Sequence, residues 1–509
     1  MAILEKINGL IWGAPALAMI LGVGLYMSLR TGFIQLTLFP KALRNFMGKF
    51  RTRQQLQDGV SPFQALCTAL AATVGTGNLA GVAGAIAIGG PGAIFWMWVC
   101  AILGMVTKFA EATLAVRYRR KDASGEYVGG PMYMIRDGMG KSWKPLAACY
   151  CFFGVVAAFG VGNATQVNTV ISGANQVVVA FGGAQSKLGD LIMGVILAVV
   201  IAGILLGGLR RIGRIAEQLI PLASGIYLLL GVGVLIARSQ AIAGAFSAIV
   251  TGAFSPSAVT GGAVGSLIVS LRIGVSRGVF TNEAGMGTAS IAHAAARVSH
   301  PVEQGLMGIM EVFLDTIVIC TMTALVILVS AVPIPYGEDV GVTLTAQAFS
   351  SVYGQWITVP IALSLCCFAI ATVLGWGLYG ARCAQYLFGE NVWKRFVLLQ
   401  AAAVVLGAVL KTGTVWLLSE IVNGLMAIPN LIALAVLSPE LLRLIKEYKT
   451  GPKASATGGT YEYFHQCQSL RAVSHAEIPS HGSAGRKERK DHLSLEYRSA
   501  GPSHAGSVL

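Results

Sequence analysis

The sequence predicts an all-α integral membrane protein of about eleven transmembrane helices, two five-helix halves preceded by one extra helix. Three observations carry that expectation. The 509-residue chain is 55% hydrophobic and only 12% charged, against roughly 25% charged in a soluble domain. Its mean hydropathy is +0.68. Apolar windows near 20 residues recur along it, and two of them, at matching places in the two halves, are interrupted by glycine and polar residues.

In order, the windows fall at 10–29, 65–88, 92–116, 146–176, 189–208, 216–237, 263–292, 304–332, 347–380, 395–411 and 414–438. The first lacks a small-residue cleavage site and runs into Arg30 and a basic loop, so it stays as an anchor. Windows 146–176, 263–292 and 347–380 are long enough to be tilted or interrupted. Every odd-numbered span ends in a basic loop, such as Arg117 to Lys121, Arg210 to Arg214 or Arg443 to Lys449. The even-numbered spans end in sparsely charged stretches, such as Gly89 to Gly92 and Arg238 to Thr260. The positive-inside rule then places the N-terminus outside a cell membrane and the C-terminus in the cytoplasm. That clustering also accounts for the net charge of +14 without nucleic acid.

Cys67, Cys100, Cys149, Cys151, Cys320, Cys366, Cys367 and Cys383 lie in apolar segments without metal-ligand spacing. They read as small core residues, with no disulfide framework. Residues 1–450 thus form the membrane domain. Residues 451–509 form a polar, disordered cytoplasmic tail holding five of the seven histidines, either a natural tail or an out-of-frame extension. Its spaced histidines make no metal site.

The second window contains Thr73-Val74-Gly75-Thr76-Gly77-Asn78 at its centre. One reading is packing, since Gly77 and Gly81 form a GxxxG face. The other is a helix interrupted near Gly75–Gly77. The preceding half-helix then presents unpaired carbonyls suited to a cation, and the following one, from about Asn78, presents N–H groups suited to a carboxylate. The seventh window, Ser266 to Ala296, repeats the pattern with Gly274, Gly278, Gly285, Gly287 and the run Thr281-Asn282-Glu283. Two interrupted helices opening two halves point to a midplane site for a zwitterion plus a cation, with the halves rocking around it. A channel would need a continuous polar lining, and no GxxxxGK[ST] loop suggests a primary pump.

Gln166 and Asn163 lie within one helical turn; Gln166 suits a substrate amino group, or either makes an interhelical hydrogen bond. Trp376 walls off a substrate side chain or joins an interfacial belt, the belt being the stronger reading for Trp96 and Trp98. Glu311 and Asp315, four apart, are cation ligands or a proton relay or, more simply, partners of Arg272 or Arg277. Glu111 and Glu217 read as partners of basic residues near cytoplasmic ends, where His293 and His300 also sit.

Gly89–Gly104, "GGPGAIFWMWVCAILG", resembles the signature of the sodium:alanine (alanine or glycine:cation) symporter family. "GNATQVN" (Gly162–Asn168), "RGVFTNEAGMGTA" (Arg277–Ala289), "EVFLDTIVICTMTALVIL" (Glu311–Leu328) and "FAIATVLGWGLYG" (Phe368–Gly380) are similar to further shared blocks. The resemblance covers residues 1–450 and implies a leucine-transporter-like 5+5 inverted repeat. It implies symport of a small neutral amino acid, alanine or glycine, with sodium as coupling ion, no other cofactor, no enzymatic activity and no obligate protein partner. A proton-coupled or uncoupled carrier is the alternative. By the same resemblance, Thr76 and Gly77 hold the substrate carboxylate and Asn78 orients substrate or cation. Gln166, Trp376, Asn282 and Gly285 complete the substrate side. Sodium falls to the carbonyls of Ala71 and Val74 and to Ala369 and Thr372; the chain has Ala371 where a serine ligand is expected, leaving Thr372 as the hydroxyl.

Overall fold

The computed structural model describes residues 2–52, 59–262, 264, 266–338, 341–409 and 413–450, so the expectations for the 451–509 tail lie outside the described residues. Among the described residues the regular structure is helical, apart from a two-residue antiparallel hairpin pairing Arg120 with Val128 and Lys121 with Tyr127 and an isolated parallel bridge between Val60 and Ala296. Among the described residues, eight helices are long and apolar enough to cross a membrane, or ten if each of two bent pairs counts as one span.

Local chemistry sets the ends of these elements. Helices α1 (Ala2–Ile11) and α2 (Ala14–Thr31) form the N-terminal span, closed by Gly32 in the left-handed conformation. Helix α3 (Phe39–Thr52) carries the basic loop that follows. Helix α4 (Pro62–Thr73) starts at a complete capping box: the Ser61 hydroxyl accepts from the Gln64 N–H, and the Gln64 side chain accepts from the Ser61 N–H. It breaks off after Thr73, and the chain resumes through a π-turn, Gly77–Gly81, into α5 (Val82–Gly89), bent by 54°. Helix α6 (Gly92–Arg117) runs unbroken.

Helices α7 (Lys144–Phe159) and α8 (Thr165–Ala180) form one long run with a π-bulge at Gly160–Ala164. Helices α9 (Lys187–Leu205) and α10 (Gly208–Ala237) complete the first half. The sparsely charged stretch Arg238–Thr260, between the sixth and seventh expected spans, contains an unexpected apolar helix, α11 (Ile242–Phe254), which packs on α6. At 13 residues it is too short to register as a span.

The expected break in the seventh span is present. Helix α12 (Leu267–Asn282) ends at Glu283, and α13 (Thr288–His293) starts after Gly287. Both Gly285 (φ +96°) and Gly287 (φ +78°) adopt conformations that disfavour side chains. Helix α14 (Pro301–Val312) continues through a π-helical stretch into α15 (Thr321–Val329). The expected span 347–380 is two elements: α16 (Thr343–Tyr353) stops at Gly354 (φ +77°), and α17 (Thr358–Phe388) extends further than expected. Helices α18 (Trp393–Val409), α19 (Gly413–Val436) and α20 (Ser438–Thr450) complete the described residues, with a 58° bend across the Glu420–Val436 and Ser438–Thr450 segments.

The core lies where α6, α12 and α14 meet. Backbones approach closely there: a Cβ on Gly305 would overlap the Thr113 hydroxyl. Five of the eight described cysteines are buried as expected, but Cys149 is exposed and Cys366 and Cys367 are half-buried; all eight are free thiols. Trp96 and Trp98, expected in an interfacial belt, are half-buried with both indoles bonded within the protein. Their indole N–H groups donate to the Ala253 carbonyl (3.2 Å) and the Thr321 hydroxyl (2.8 Å).

Candidate functional site

The first break reorganises the hydrogen bonding of its own backbone. Val74 is the last residue to continue the ladder, its N–H donating to Leu70, and its own ψ is extended at 104°. The next N–H, on Gly75, turns away from Ala71 and donates to Asn78 Oδ1 at 2.8 Å. Ala71 thereby loses its helical donor, and the carbonyl end of α4 is left open within the protein.

Other elements close on this point. Thr372 Oγ1 of α17 lies 2.8 Å from where a Cβ on Gly75 would stand, and Gln166 Oε1 of α8 lies 3.8 Å from it. Only glycine leaves that space. Thr372 donates to the Phe368 carbonyl (3.0 Å), so its lone pairs stay available. Gln166 donates through Nε2 to Thr76 Oγ1 (3.4 Å) and the Val161 carbonyl (3.2 Å), while its buried Oε1 has no partner. Ala369 is buried one turn before Thr372, and Gly375 packs against Ala72. Thr281 of α12 fills the far side of Gly77, so the two broken helices cross there. Asn163 donates to the Gln400 carbonyl (2.9 Å), an interhelical bond.

Asn78 is fully engaged. Besides Gly75, its Nδ2 donates to Asp315 Oδ1 (2.7 Å) and the Asp315 carbonyl (3.2 Å). Asp315 Oδ2 accepts from Thr316 Oγ1 (2.8 Å), which accepts from Asn282 Nδ2 (3.1 Å). A chain of polar side chains thus joins the two breaks.

The second break is tied down by residues from other helices. Glu111 Oε1 accepts from the N–H groups of Gly285 (2.9 Å) and Gly287 (3.1 Å) and from Asn430 Nδ2 (2.8 Å); Asn430 also donates to the Gly285 carbonyl. Gly285 is therefore placed in this second centre, with both backbone groups occupied by side chains rather than open to a ligand. Lys108 Nζ stands 3.9 Å from Glu111 and 3.4 Å from Glu311. His293 meets Glu311 at 2.8 Å and accepts from Gln304 at Nδ1 (2.7 Å). Glu283 accepts from the Trp376 indole (3.0 Å) and the Thr288 hydroxyl (2.5 Å).

Two expectations about partners, for Glu311 and Glu217, are corrected by this geometry. Glu311 pairs with Lys108 and His293, not with Arg272 or Arg277; Arg277 faces Glu420 at 3.7 Å instead. Glu111, read as the partner of a basic residue, does face one, Lys108 at 3.9 Å, though both it and His293 are fully buried. Glu217 accepts from Gln64 (2.8 Å) and, among the described residues, pairs with no basic side chain. Sequence reasoning misses Lys108, Glu283 and Asn430 as site residues. For Lys108 a signal exists: a lysine in the middle of an apolar span requires a function or a partner. Between the N-terminal helix, α12 and α19, Trp12, Arg272, Arg277, Phe280 and Glu420 line a cavity of about 150 Å³, and Phe280 also faces Gly77.

The profile of the Sodium:alanine symporter family matches residues 1–461. An uncharacterized transporter of Haemophilus influenzae is 42% identical over 451 residues, covering 88% of this chain and 96% of that protein. The sodium/alanine symporter AgcS of Methanococcus maripaludis is 41% identical over 441 residues, with 86% and 94% coverage. The probable sodium/glutamine symporter GlnT of Bacillus subtilis is 37% identical over 452 residues, with 88% and 90% coverage. Among solved structures, MhsT in complex with L-phenylalanine superposes with a TM-score of 0.52 at 14% identity, covering 77% of this chain and 99% of that one. That likeness shows the fold.

Proposed function

Since the chain belongs to the sodium:alanine symporter family, we propose that it carries a small neutral amino acid, alanine or glycine, with sodium across a cell membrane by alternating access. The protein is a multi-pass membrane transporter, not an enzyme of any class its residues suggest. The observation that carries the reading is the convergence at Gly75, where an opened helix end meets the Thr372 hydroxyl and the unpartnered Gln166 Oε1.

The roles divide by charge. The carbonyls of Ala71 and Val74, the carbonyl of Ala369 and the Thr372 hydroxyl supply hard oxygen donors of the kind sodium takes. Thr76 and Gly77 open the second half-helix, whose N–H groups face a substrate carboxylate. Gln166 accepts from the substrate ammonium, and Trp376 bounds its side chain. Asn78 and Asn282 act through the Asp315–Thr316 chain, holding the two breaks in register. Gly285 belongs to the hinge of the second break. Within this reading residues 1–450 form the leucine-transporter-like 5+5 core after one extra helix, the N-terminus lies outside and residues 451–509 are dispensable.

The test is competition against sodium-driven alanine uptake in proteoliposomes. Gln166→Ala removes a hydrogen bond to a charged group, a contribution of about 1.5–3 kcal/mol. We expect the alanine KM to rise about tenfold or more, with the sodium requirement retained. An unchanged KM would remove Gln166 from the site.

A further inference from the structure

We propose that Glu283 is a positioning residue that fixes the indole of Trp376 and thereby sets the size limit of the transported side chain. This rests on the reading that Trp376 bounds the substrate pocket.

Three observations support it. First, the Trp376 indole N–H donates to Glu283 Oε1 at 3.0 Å, and both side chains are buried, at 0% and 4% exposure. A buried indole N–H needs an acceptor, and a carboxylate is a strong one. Second, Glu283 sits in the second break with φ +52°, a conformation that costs a non-glycine residue energy. The Thr288 hydroxyl holds its other oxygen at 2.5 Å, so the carboxylate is aimed by its own element before it meets the indole. Third, Trp376 and Thr372 are one turn apart on the same face of α17. Thr372 touches the first break at Gly75, while Trp376 is bonded to the second at Glu283. Trp376 is also pressed against Gly162, where an added Cβ would overlap the Trp376 Cβ. Gly162 precedes Gln166 by one turn of the same helical run, so the indole is clamped next to the residue proposed for the substrate ammonium.

A ring held by packing on one side and a charge-assisted hydrogen bond on the other has one position. Releasing the hydrogen bond frees the ring to rotate and enlarges the space beside the substrate. Any rearrangement of the second break must move the indole with it, so pocket size follows the state of that break.

The experiment measures inhibition of sodium-driven alanine uptake by alanine, serine, valine and leucine in full-length protein, for Glu283→Asp, Glu283→Ala, Glu283→Gln, Trp376→Phe and Trp376→Ala. Glu283→Asp keeps the charge but withdraws the acceptor by one methylene; Trp376→Phe keeps a ring but removes the donor. We expect each of these two to relax discrimination against valine and leucine by about fivefold to tenfold, with a smaller change in maximal rate. The combined variant should relax it no further than either alone, because both break one bond. Glu283→Gln retains an acceptor oxygen and should preserve discrimination within about twofold. The proposal is overturned if Glu283→Asp and Glu283→Ala transport with native discrimination while Trp376→Phe loses it. If Trp376→Phe and Trp376→Ala also leave discrimination native, the assignment of Trp376 to the pocket fails with it. Should Glu283→Ala not fold, the Glu283→Asp and Glu283→Gln pair still decides.

Discussion

At the scale of the residue, charge burial shapes the molecule most. Glu111, Glu311, Asp315 and Glu283 are buried carboxylates, and Lys108 and His293 are the buried basic groups beside them. Lys108 stands between two of the acids, each within 4 Å, with its aliphatic stem packed under Gly308. Replacing one partner of such a group leaves uncompensated charge in a low-dielectric interior, which costs about 3–5 kcal/mol. Lys108→Met is therefore expected to lower thermal stability in detergent by that amount, read as a depressed unfolding midpoint. A native midpoint would show that the cluster does not support the fold. Gly75→Ala tests the opposite case, a residue whose value is the space it leaves. Its Cβ would meet the Thr372 hydroxyl at 2.8 Å. The half-saturating sodium concentration should rise about tenfold or more, and unchanged sodium affinity would move the cation elsewhere.

At the scale of the element, the two broken helices differ in how their open ends are satisfied. The first break keeps polar ends facing the Gln166 and Thr372 side chains. The second is closed by a carboxylate from α6, since Glu111 accepts both the Gly285 and Gly287 N–H groups. Glu111→Ala should release those amides. Hydrogen exchange across 283–287 is expected to quicken by about tenfold or more, reflecting loss of hydrogen bonds to a charged acceptor. Native protection in the variant would show that the break holds its shape without Glu111. Both breaks are legible in the chain, because glycine beside polar residues at mid-span is costly unless the helix opens there onto a polar partner. What closes the second one is not legible. The partners of Gly285 lie 174 and 145 positions away, at Glu111 and Asn430, and such pairings are set by packing rather than by local pattern. Helix α11 is hidden for a different reason: a short apolar helix and an uncharged loop look alike in composition.

At the scale of the whole molecule, the pairing of α17 with both breaks ties the parts together. Thr372 meets the first break and Trp376 the second, one turn apart on one helix. A helix held at both points cannot move at one without strain at the other, and that gives the coupling of cation and substrate a physical path. Class, membrane character and the Gly75–Asn78 break can be read from the chain because composition and the glycine-polar interruption report them directly. The charge network cannot, since Lys108, His293 and Glu311 meet only in three dimensions. On the proposed function, sodium drives amino-acid uptake. Purified full-length protein in proteoliposomes, given radiolabelled alanine and an inward sodium gradient, should accumulate alanine above its external concentration. Collapsing the gradient or replacing sodium with potassium should abolish that accumulation, while alanine uptake of equal extent without sodium would contradict the account.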